Sequence, residues 1–456
     1  MNNNSLKRIA LSVTSGVLAT VVTACSSGTS NEGMPDGQTA TGKKVVTISV
    51  LQSDNFLKLA EQSYEQTHPD VDIRIKEYAA TPDTGEGQLG IALDAAIVEK
   101  YINSVGTEVL SGKGADLISL QNLPMEKYAN KKALADLSEM MAKDDSFNVG
   151  SYYGNILDST KINGSLYAMP LGFTLNTMIG DTASIQEAGV KIDDKSWTWD
   201  DFAEFAKQLV KDEDGDGQPD KYAITNFSPE SLLVNLLGDQ YGQYVDSAQG
   251  QAHFDSEAFR GLLERIKGLY DEHLVSADNA SWGEQFFVPW NAKSASEMIL
   301  YPKSVFEKGG DIYRKPGMGQ GVTFRAGILL GINARSSVKQ EAWEFMKFLL
   351  SEDMQSAPEF KGLPLNKAVM DKALSGIQAQ LQEGMQLMNG VIPQPLTDEE
   401  LKNMKELVEG AAAFTKSDSK INAIVGEEAL AYFAGQKSAE EVGKLIQNRV
   451  TTYLNE

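Results

Sequence analysis

Residues 45–76, VVTISVLQSDNFLKLAEQSYEQTHPDVDIRIK, decide the fold class of this 456-residue chain. The stretch begins at residues 45–50 with a β-branched run, which favours a strand. Apolar residues then recur at helical spacing until His68-Pro69 stops the helix. Residues 71–76 alternate between apolar and polar side chains, as a half-buried strand does. Strand, helix and strand at this spacing predict a βαβ unit, and therefore an α/β fold.

The pattern continues beyond this first unit. Residues 91–110 have helical periodicity, and the apolar run at 115–120 predicts another strand of the same sheet. Residues 166–173 are extended but broken by proline and glycine, which is typical of a crossing between two lobes rather than of a central strand. A later apolar run at 326–333 predicts a buried strand, and residues 341–350 carry the apolar stripe of an amphipathic helix.

Two further helical regions are predicted, one from Thr198 and one near the C-terminus. Thr198 has the position of an N-cap with Asp201 three residues on, so a helix is expected to start there. Residues 371–454 are mostly of helical pattern, and residues 221–226 predict a short strand.

The N-terminus has the pattern of an export signal. Lys7 and Arg8 precede an apolar run at residues 9–22, which is shorter than the about 20 residues of a membrane-spanning helix. The sole cysteine, Cys25, follows small residues at the end of this run and resembles the lipobox of bacterial lipoproteins. We therefore predict that residues 1–24 are removed and that Cys25 carries a lipid on the extracytoplasmic face of the cell membrane. The alternative is an ordinary secretory signal followed by a stray thiol.

The predicted mature chain begins with a polar stretch and is strongly acidic. Residues 25–44 are rich in Ser, Thr, Gly and Asn, which predicts a flexible tether. The whole chain has a formal charge of −22, and the two charges of residues 1–24 are both basic, so the remainder is more acidic still. This charge argues against nucleic acid as a partner. With no cysteine after residue 25, stability has to come from packing.

The residues that usually carry catalysis are scarce. The three histidines are His68, His253 and His273, and no His-x-x-x-His or paired-cysteine pattern occurs. Serine nucleophile elbows and phosphate-binding loops are also absent from the sequence. Chance pairs among 63 acidic residues carry no information about glycoside hydrolysis. The sequence therefore predicts a protein that is not an enzyme.

One acidic loop has the spacing of a calcium site. Its oxygen ligands would come from loop positions 1, 3, 5, 7 and 9, which are Asp212, Asp214, Asp216, the carbonyl of Gln218, and Asp220. Position 12 is Ala223, where an EF-hand has a bidentate glutamate, so another carboxylate or water would complete the shell. Bound Ca²⁺ would have a structural role, and the alternative is a solvated acidic turn.

Five segments, taken in order, carry a family resemblance. They are residues 56–78, 164–170, 197–209, 342–350 and 362–364. With the lipobox, this order resembles the family 1 extracellular solute-binding proteins, the group that includes maltose-binding protein. The resemblance implies a two-lobed periplasmic-binding-protein-like fold, with hinge crossings between α/β lobes that close on a ligand. The polar, Gly-rich residues 81–90 depart from a generic member.

The resemblance also implies lobe boundaries and partners. Lobe 1 would comprise residues 45–171 and 325–355, and lobe 2 would comprise residues 172–324 and 356–456. We expect a monomer that captures an oligosaccharide and delivers it to the membrane subunits of an ABC importer. A peptide, a polyol or a phosphate ester stays open as the ligand, and a surface glycan-binding adhesin without transport is the alternative function.

Candidate ligand-binding residues follow from two considerations. Polar residues after strands lie at the ligand side of an open sheet, and aromatic residues in irregular segments are available to stack on sugar rings. By the family resemblance, Tyr301 also falls where family members place a ligand-contacting loop, and Phe324 and Arg325 fall just before the return crossing. The candidates are Gln52, Ser53, Asp54, Asn122, Trp282, Trp290, Tyr301, Phe324 and Arg325. Core packing or helix capping is the alternative for each, and Asp54 in particular has the position of an N-cap.

Overall fold

A computed structural model of the chain describes residues 42–79, 95–247, 249–280, 284–317, 319, 321–387 and 390–455. Cys25, the insertion at residues 81–90 and Trp282 lie outside the described residues. No helix in the described ranges is long and apolar enough to cross a membrane.

The strands are short, apart from three of seven or nine residues. In chain order they are β1 (Lys44–Val50), β2 (Val71–Glu77), β3 (Leu117–Ser119), β4 (Met169–Pro170), β5 (Gly172–Gly180), β6 (Val245–Asp246), β7 (Gln251–Ala252), β8 (Phe287–Ala292), β9 (Asp311–Arg314), β10 (Val322–Ala326), β11 (Leu329–Ile332), β12 (Leu363–Pro364) and β13 (Ala411–Phe414).

Helices connect and cover these strands. They are α1 (Asn55–Thr67), α2 (Ala95–Ser111), α3 (Met125–Asn130), α4 (Leu137–Lys143), α5 (Gly154–Ser159), α6 (Thr182–Glu187), α7 (Trp199–Leu209), α8 (Pro229–Asp239), α9 (Tyr241–Tyr244), α10 (Glu257–Asp271), α11 (Ala295–Leu300), α12 (Pro302–Val305), α13 (Lys339–Leu349), α14 (Glu352–Gln355), α15 (Lys367–Gln382), α16 (Asp398–Glu409), α17 (Ser419–Phe433) and α18 (Ala439–Asn455), with a 3₁₀ turn at Val149–Ser151.

The first sheet has the strand order β2-β1-β3-β11-β4. β1 and β2 are parallel along their whole length, from Lys44 opposite Val71 to Val50 opposite Glu77, and α1 connects them. This confirms the predicted βαβ unit. β3 is parallel to β1, whereas β11 runs antiparallel to both of its neighbours.

The second sheet is organised around β5. Its order is β12-β5-β10-β13, and β8 and β9 also pair with β5. β5 is nine residues long and almost entirely buried, and its pairings with β8, β9, β10 and β12 are all antiparallel. Its two buried polar side chains are hydrogen-bonded, Asn176 to the Thr415 hydroxyl and Thr177 to the Trp290 carbonyl, as burial requires.

The chain passes between the sheets three times, twice at adjacent short crossings and once between β11 and β12 through α13 and α14. It leaves β4 and enters β5 at Leu171, and it leaves β10 and enters β11 between Ala326 and Leu329. The Gly327 N–H donates to the Gly172 carbonyl at 2.8 Å, and the Leu171 N–H donates to the Ile328 carbonyl at 2.8 Å. The crossing predicted at 166–173 is therefore present, and the architecture is the expected two-lobed α/β fold.

Two predicted strands differ from the structure. Residues 326–333 are not one strand, because the chain changes sheets at Gly327 and only Leu329–Ile332 forms β11. Residues 221–226 form only isolated bridges, Tyr222 to Gln285 and Ile224 to Val275. Alternation of apolar residues indicated an extended chain correctly in both cases, but pairing depends on distant partners.

Helices pack on both faces of the first sheet. Phe56 of α1 and Trp343 of α13 belong to the core on one face, and Tyr101 of α2 packs with Ile118 on the other. The second sheet has its own helical layer, in which α7, α8, α10, α17 and α18 contribute buried side chains. Each sheet thus has the buried apolar area that an α/β layer needs.

Candidate functional site

A cavity of about 190 Å³ lies where the ends of the two sheets meet. The side built on the first sheet provides residues that follow β3, open α3 and begin β11, which are Leu120, Gln121, Leu123, Pro124, Met125, Glu126 and Leu329. The facing side provides residues from the ends of β10 and β13 and from the start of α9, which are Arg325, Ala326, Phe414, Thr415, Lys416, Ser417, Asp418, Tyr241 and Ser247.

The position of the cavity follows from strand direction. β1 and β3 are parallel, so their carboxyl ends share one edge of the first sheet, and Leu120 and Gln121 come directly after β3. On the facing side, the Thr415 N–H donates to the Phe324 carbonyl at 2.8 Å and extends the pairing of β13 with β10. Loops at the carboxyl ends of strands are the usual place for ligands in open α/β sheets.

Two side-chain contacts span this region. The Lys416 ammonium forms an ion pair with the Glu126 carboxylate, and the two residues line opposite sides of the cavity. The side-chain amide of Gln121 donates to the carbonyl of Gly327, which lies in the second crossing. The side chains of Lys416 and Glu126 are 37% and 21% exposed, so solvent screens part of their attraction.

A buried polar network supports the segment that carries Lys416. The side-chain amide of Asn176 donates to the Thr415 hydroxyl at 2.9 Å, and that hydroxyl donates to Asp239 at 3.2 Å. Lys315 forms an ion pair with Asp239 and donates to Asn235 at 2.5 Å. The carboxylate of Asp239 is only 2% exposed, so the pairing with Lys315 is needed to offset its desolvation. This network fixes the cavity side formed by residues 415–418 against α8.

The cavity combines aromatic surface with hydrogen-bonding groups. Tyr241 and Phe414 contribute rings, and burial raises the pKa of the Tyr241 hydroxyl, which therefore stays a neutral donor. Arg325, Glu126 and Gln121 contribute donors and acceptors. Such a mixture suits a ligand that has both apolar faces and hydroxyl groups.

The predicted polar residues lie at this edge of the first sheet, except Arg325, which lies in β10 of the second sheet on the facing side. Arg325 is exposed and lines the cavity, and Asn122 is exposed directly after Gln121. Ser53 is buried and donates a hydrogen bond to Glu77. Asp54 caps α1, because its carboxylate accepts the Leu57 N–H at 2.9 Å, and burial raises its pKa. Gln52 is half-buried beside them.

The predicted aromatic residues are not brought together at the cavity. Trp290 and Tyr301 stack on each other, with ring centroids 3.9 Å apart and an interplanar angle of 12°. Neither ring is among the residues that line the cavity. Phe324 is fully buried and packs against Phe173 and Phe414, which is core packing rather than the ligand contact that we expected. Its side chain alternates inward in β10, and Arg325 points the opposite way.

Sequence reasoning missed several lining residues. Glu126, Tyr241 and Lys416 were not candidates, because nothing local separates them from surface residues of other helix ends. Two signals were available: Gln121 follows a strand as directly as Asn122 does, and the polar residues 415–418 follow the short strand β13.

The acidic loop predicted to bind calcium lies apart from the cavity, after α7. The carboxylates of Asp212, Asp214 and Asp216 are exposed, and one oxygen of each lies within 4.8 Å of the others. Asp212 accepts N–H groups from Gly217 at 2.9 Å and Gly215 at 2.7 Å, and these hydrogen bonds lower its pKa.

The other two predicted ligands, Gln218 and Asp220, are not part of this carboxylate cluster but make hydrogen bonds within the loop. Asp220 accepts the Glu213 N–H at 2.6 Å, and the Gln218 N–H donates to Asp216 at 2.8 Å. Gly217, at loop position 6, has φ +90°, a conformation that favours glycine. Three clustered carboxylates and a glycine turn are a donor set that fits a hard cation such as Ca²⁺.

Comparison with known families identifies the chain. Its sequence matches the family model for bacterial extracellular solute-binding proteins over residues 50–356. The chain belongs to this family. The match includes the two adjacent crossings between the sheets and all of the first sheet except residues 44–49 of β1.

Solved structures of solute-binding proteins have the same fold. The sugar-binding protein MalE of Xanthomonas citri superposes with a TM-score of 0.61 at 16% identity, covering 90% of this chain and 98% of that one. A Listeria monocytogenes ABC substrate-binding protein in complex with cycloalternan superposes with a TM-score of 0.57 at 16% identity, covering 91% of this chain and 99% of that one. A periplasmic oligogalacturonide-binding protein of Yersinia enterocolitica superposes with a TM-score of 0.57 at 16% identity, covering 90% of this chain and 99% of that one.

Proposed function

We propose that this solute-binding protein captures an oligosaccharide and delivers it to the membrane subunits of an ABC importer. The observation that carries the proposal is the cavity at the junction of the sheets, where the rings of Tyr241 and Phe414 lie among the polar side chains of Gln121, Glu126 and Arg325. Sugar rings have apolar faces and a rim of hydroxyl groups, so they match this combination.

The related structures support a sugar as the ligand. The Listeria protein is in complex with cycloalternan and the Yersinia protein binds oligogalacturonide, and both ligands are built from sugar units. Since the family consists of proteins that bind and release substrates, we propose no catalytic step for this chain.

The cavity volume supports a cycle of opening and closing. At about 190 Å³, it is smaller than the roughly 300–1,000 Å³ of pockets that hold drug-sized ligands. An oligosaccharide would therefore enter only after the two sides separate, and it would then contact both sides as they close. Because a ligand shifts an equilibrium by its differential affinity, contacts made only in the closed form would drive closure.

The ligand assignment can be tested by titration. Intrinsic fluorescence is followed while the purified protein is titrated with a panel of oligosaccharides, peptides, polyols and phosphate esters. We expect an oligosaccharide to bind with micromolar or tighter affinity. If no carbohydrate binds more tightly than millimolar while another class does, the sugar assignment is wrong and family membership is unaffected.

A matched pair of variants locates the site. Arg325→Ala removes a guanidinium from the cavity, whereas Arg265→Ala removes one that pairs with Asp200 on the surface of α7 and α10. Hydrogen bonds made by a charged group contribute about 1.5–3 kcal/mol. We therefore expect Arg325→Ala to weaken binding at least tenfold and Arg265→Ala to leave it unchanged. Equal affinities of the two variants would place the ligand elsewhere.

Small-angle scattering separates transport from adhesion. A transport protein should compact when its ligand binds, because handover to an importer requires a closed form that the membrane subunits can distinguish. Tight binding without any compaction would favour the alternative function, a surface glycan-binding adhesin.

We also propose that a lipid on Cys25 holds the protein at the extracytoplasmic face of the cell membrane. The position of this sole cysteine directly after Thr23-Ala24 supports the proposal. Cells that express the wild type or Cys25→Ser are fractionated. Release of the variant into the soluble fraction is expected, and a mature variant that stays with the membrane would refute lipid attachment at this residue.

We propose Ca²⁺ as a structural ligand of the loop at residues 212–220. The cluster of Asp212, Asp214 and Asp216 supports this assignment, and bound Ca²⁺ would fix the connection between α7 and the segment at residues 221–226.

A further inference from the structure

The edge of the first sheet that lies opposite the cavity has an exposed basic surface. It consists of Lys113, Lys131, Lys132, Arg335 and Lys339, all exposed, and we call it the basic edge. Lys131, Lys132 and Arg335 line a surface depression of about 330 Å³ there. Such a concentration of positive charge is unexpected in a chain whose formal charge is −22.

Backbone and side-chain contacts hold the segments of the basic edge together. The Ala334 N–H donates to the Ala133 carbonyl at 2.9 Å, and the Asn333 side-chain amide donates to the Gly114 carbonyl at 3.0 Å. Arg335 donates to the Ser111 carbonyl, the last residue of α2, at 3.2 Å. Three segments that are distant in sequence therefore present their basic side chains side by side.

Little negative charge compensates this surface. Within the described part of the chain, Lys113, Lys131 and Lys132 form no ion pair, and Lys339 donates only to the carbonyls of Ala334 and Ser336. Some of the nearby carboxylates already have other hydrogen-bond or ion-pair partners. Asp116 accepts hydrogen bonds from Thr47 and Ser336, Glu341 pairs with Lys44, and Asp70 is exposed beside them.

The same edge receives the chain from the N-terminus. β1 begins at Lys44, and Asp116, which precedes β3, accepts the Thr47 N–H at 2.8 Å, so the amino ends of both strands lie at this edge. The cavity lies past the carboxyl end of β3. The described chain therefore enters the first sheet at the edge away from the cavity.

We propose that the basic edge rests on anionic phospholipid headgroups and orients the cavity away from the membrane. The proposal rests on the lipid attachment proposed for Cys25. Eighteen residues lie between Cys25 and Lys44. The nineteen Cα-to-Cα steps that join the two residues span at most about 65 Å when extended, so the tether would keep the body close to the surface. A lipid surface is favoured over an acidic protein partner because the described chain begins at this edge, so a tether from a lipid on Cys25 would join the body there.

Screening explains why the acidic remainder does not prevent this contact. The Debye length is about 8–10 Å at physiological ionic strength, so only charges near the headgroups act on them. Each lysine or arginine close to an anionic surface strengthens binding roughly fivefold. The basic edge can therefore attract the surface although the whole chain is acidic.

The test uses residues 26–456, which lack the lipid and keep the compact unit that begins at Gly37. Sedimentation is measured with vesicles of phosphatidylcholine alone and of phosphatidylcholine mixed equally with phosphatidylglycerol. We expect binding to the mixed vesicles only, and its loss in high salt. Lys131→Glu/Lys132→Glu should weaken binding at least tenfold, with an unchanged thermal melt.

The matched control is Lys191→Glu/Lys372→Glu, which makes the same charge change at exposed positions outside the basic edge and the cavity. It should bind like the wild type. Equal binding to both vesicle types, or an equal loss in both variants, would overturn the proposal, as would capture only by an acidic protein. Because no lipid is attached in this assay, its failure is distinct from failure of lipidation at Cys25, which cell fractionation reports.

Discussion

At the residue scale, Asp54 lies at the edge of the first sheet where the cavity is found, and its side chain caps a helix. Its carboxylate accepts the Leu57 N–H and begins α1, directly after β1 has ended. The cap satisfies one of the four N–H groups that a helix start leaves without a partner. The side chain is thereby committed to the helix rather than to a ligand.

We predict that Asp54→Ala lowers the free energy of unfolding by about 0.5–2 kcal/mol, the usual cost of losing an N-cap. Ligand affinity should stay within twofold. Denaturant unfolding and fluorescence titration measure the two quantities, and Asp54→Asn is the control because asparagine caps equally well. A variant of normal stability with tenfold weaker binding would instead assign Asp54 to the ligand.

Asp181 is a second carboxylate with a defined local role. Burial alone would raise its pKa, but hydrogen bonds from Lys221 at 2.6 Å and from the Ser184 hydroxyl at 2.7 Å lower it below the ordinary value of 3.8. The ionised form therefore favours the folded state. Its contribution is complete above the unfolded-state pKa and is lost as the pH falls through the lower folded-state pKa.

We predict that Asp181→Asn costs about 1–3 kcal/mol of unfolding free energy at pH 7, since it weakens a largely buried ion pair. The difference from wild type should shrink below about pH 4. Urea unfolding at pH 7 and pH 3.5 checks this. Asp271→Asn, in an exposed pair with Lys267, should cost less than about 0.5 kcal/mol. A difference that does not change with pH would contradict the assignment.

At the element scale, the ends of helices and loops are determined by short-range chemistry. Thr198 and Asp201 form the reciprocal capping box of α7, in which each side chain accepts the other's backbone N–H. The acidic loop after α7 is likewise organised by carboxylates that accept backbone N–H groups within the loop. Helix caps and loops of this kind need few contacts with distant residues, so they can be predicted from the local sequence.

We predict that Ca²⁺ raises the melting temperature and that a chelator lowers it. Binding to the native state alone adds about 2.7 kcal/mol at a hundredfold excess over Kd. Asp214→Ala should abolish the sensitivity to chelator, whereas Asp145→Ala, at an exposed site outside the loop, should retain it. Differential scanning calorimetry measures the shift. If the chelator leaves the wild-type melting temperature unchanged, Ca²⁺ does not stabilise the fold.

At the scale of the whole molecule, the two sides of the cavity are joined by the backbone crossings and by the ion pair of Lys416 with Glu126. The crossings lie together at Gly172 and Gly327, so a small rotation there would open or close the cavity. The ion pair is partly exposed, and such pairs contribute about 1 kcal/mol or less. It can therefore shift the equilibrium between open and closed forms without preventing opening.

We predict that Glu126→Gln shifts the unliganded protein toward a more open form by up to about fivefold, the equivalent of 1 kcal/mol. The radius of gyration from small-angle scattering should increase without ligand and return to the wild-type value at saturation. Asp371→Asn, which breaks the exposed pair with Lys405, serves as the control and should not change it. An unchanged radius for Glu126→Gln would show that the pair does not control opening.

Much of the fold was predictable because its signals are local. The βαβ unit, the N-caps at Asp54 and Thr198, the crossing near Leu171 and the C-terminal helices follow from periodicity, proline and glycine, which act over a few residues. The resemblance to the solute-binding family rested on the order of these elements along the chain. For this reason the sequence by itself determined the α/β fold class, the layers of helices and sheet, and the position of one cavity-lining residue, Arg325.

The site itself was decided by the tertiary structure. Glu126 and Lys416 are 290 positions apart and meet only because two sheets end at the same place. Phe324 looked available to a ligand, yet the pairing of β10 with β5 and β13 turns its ring into the core and leaves Arg325 at the cavity. Which face of a strand is buried depends on the partners that cover it, and no local pattern specifies those partners.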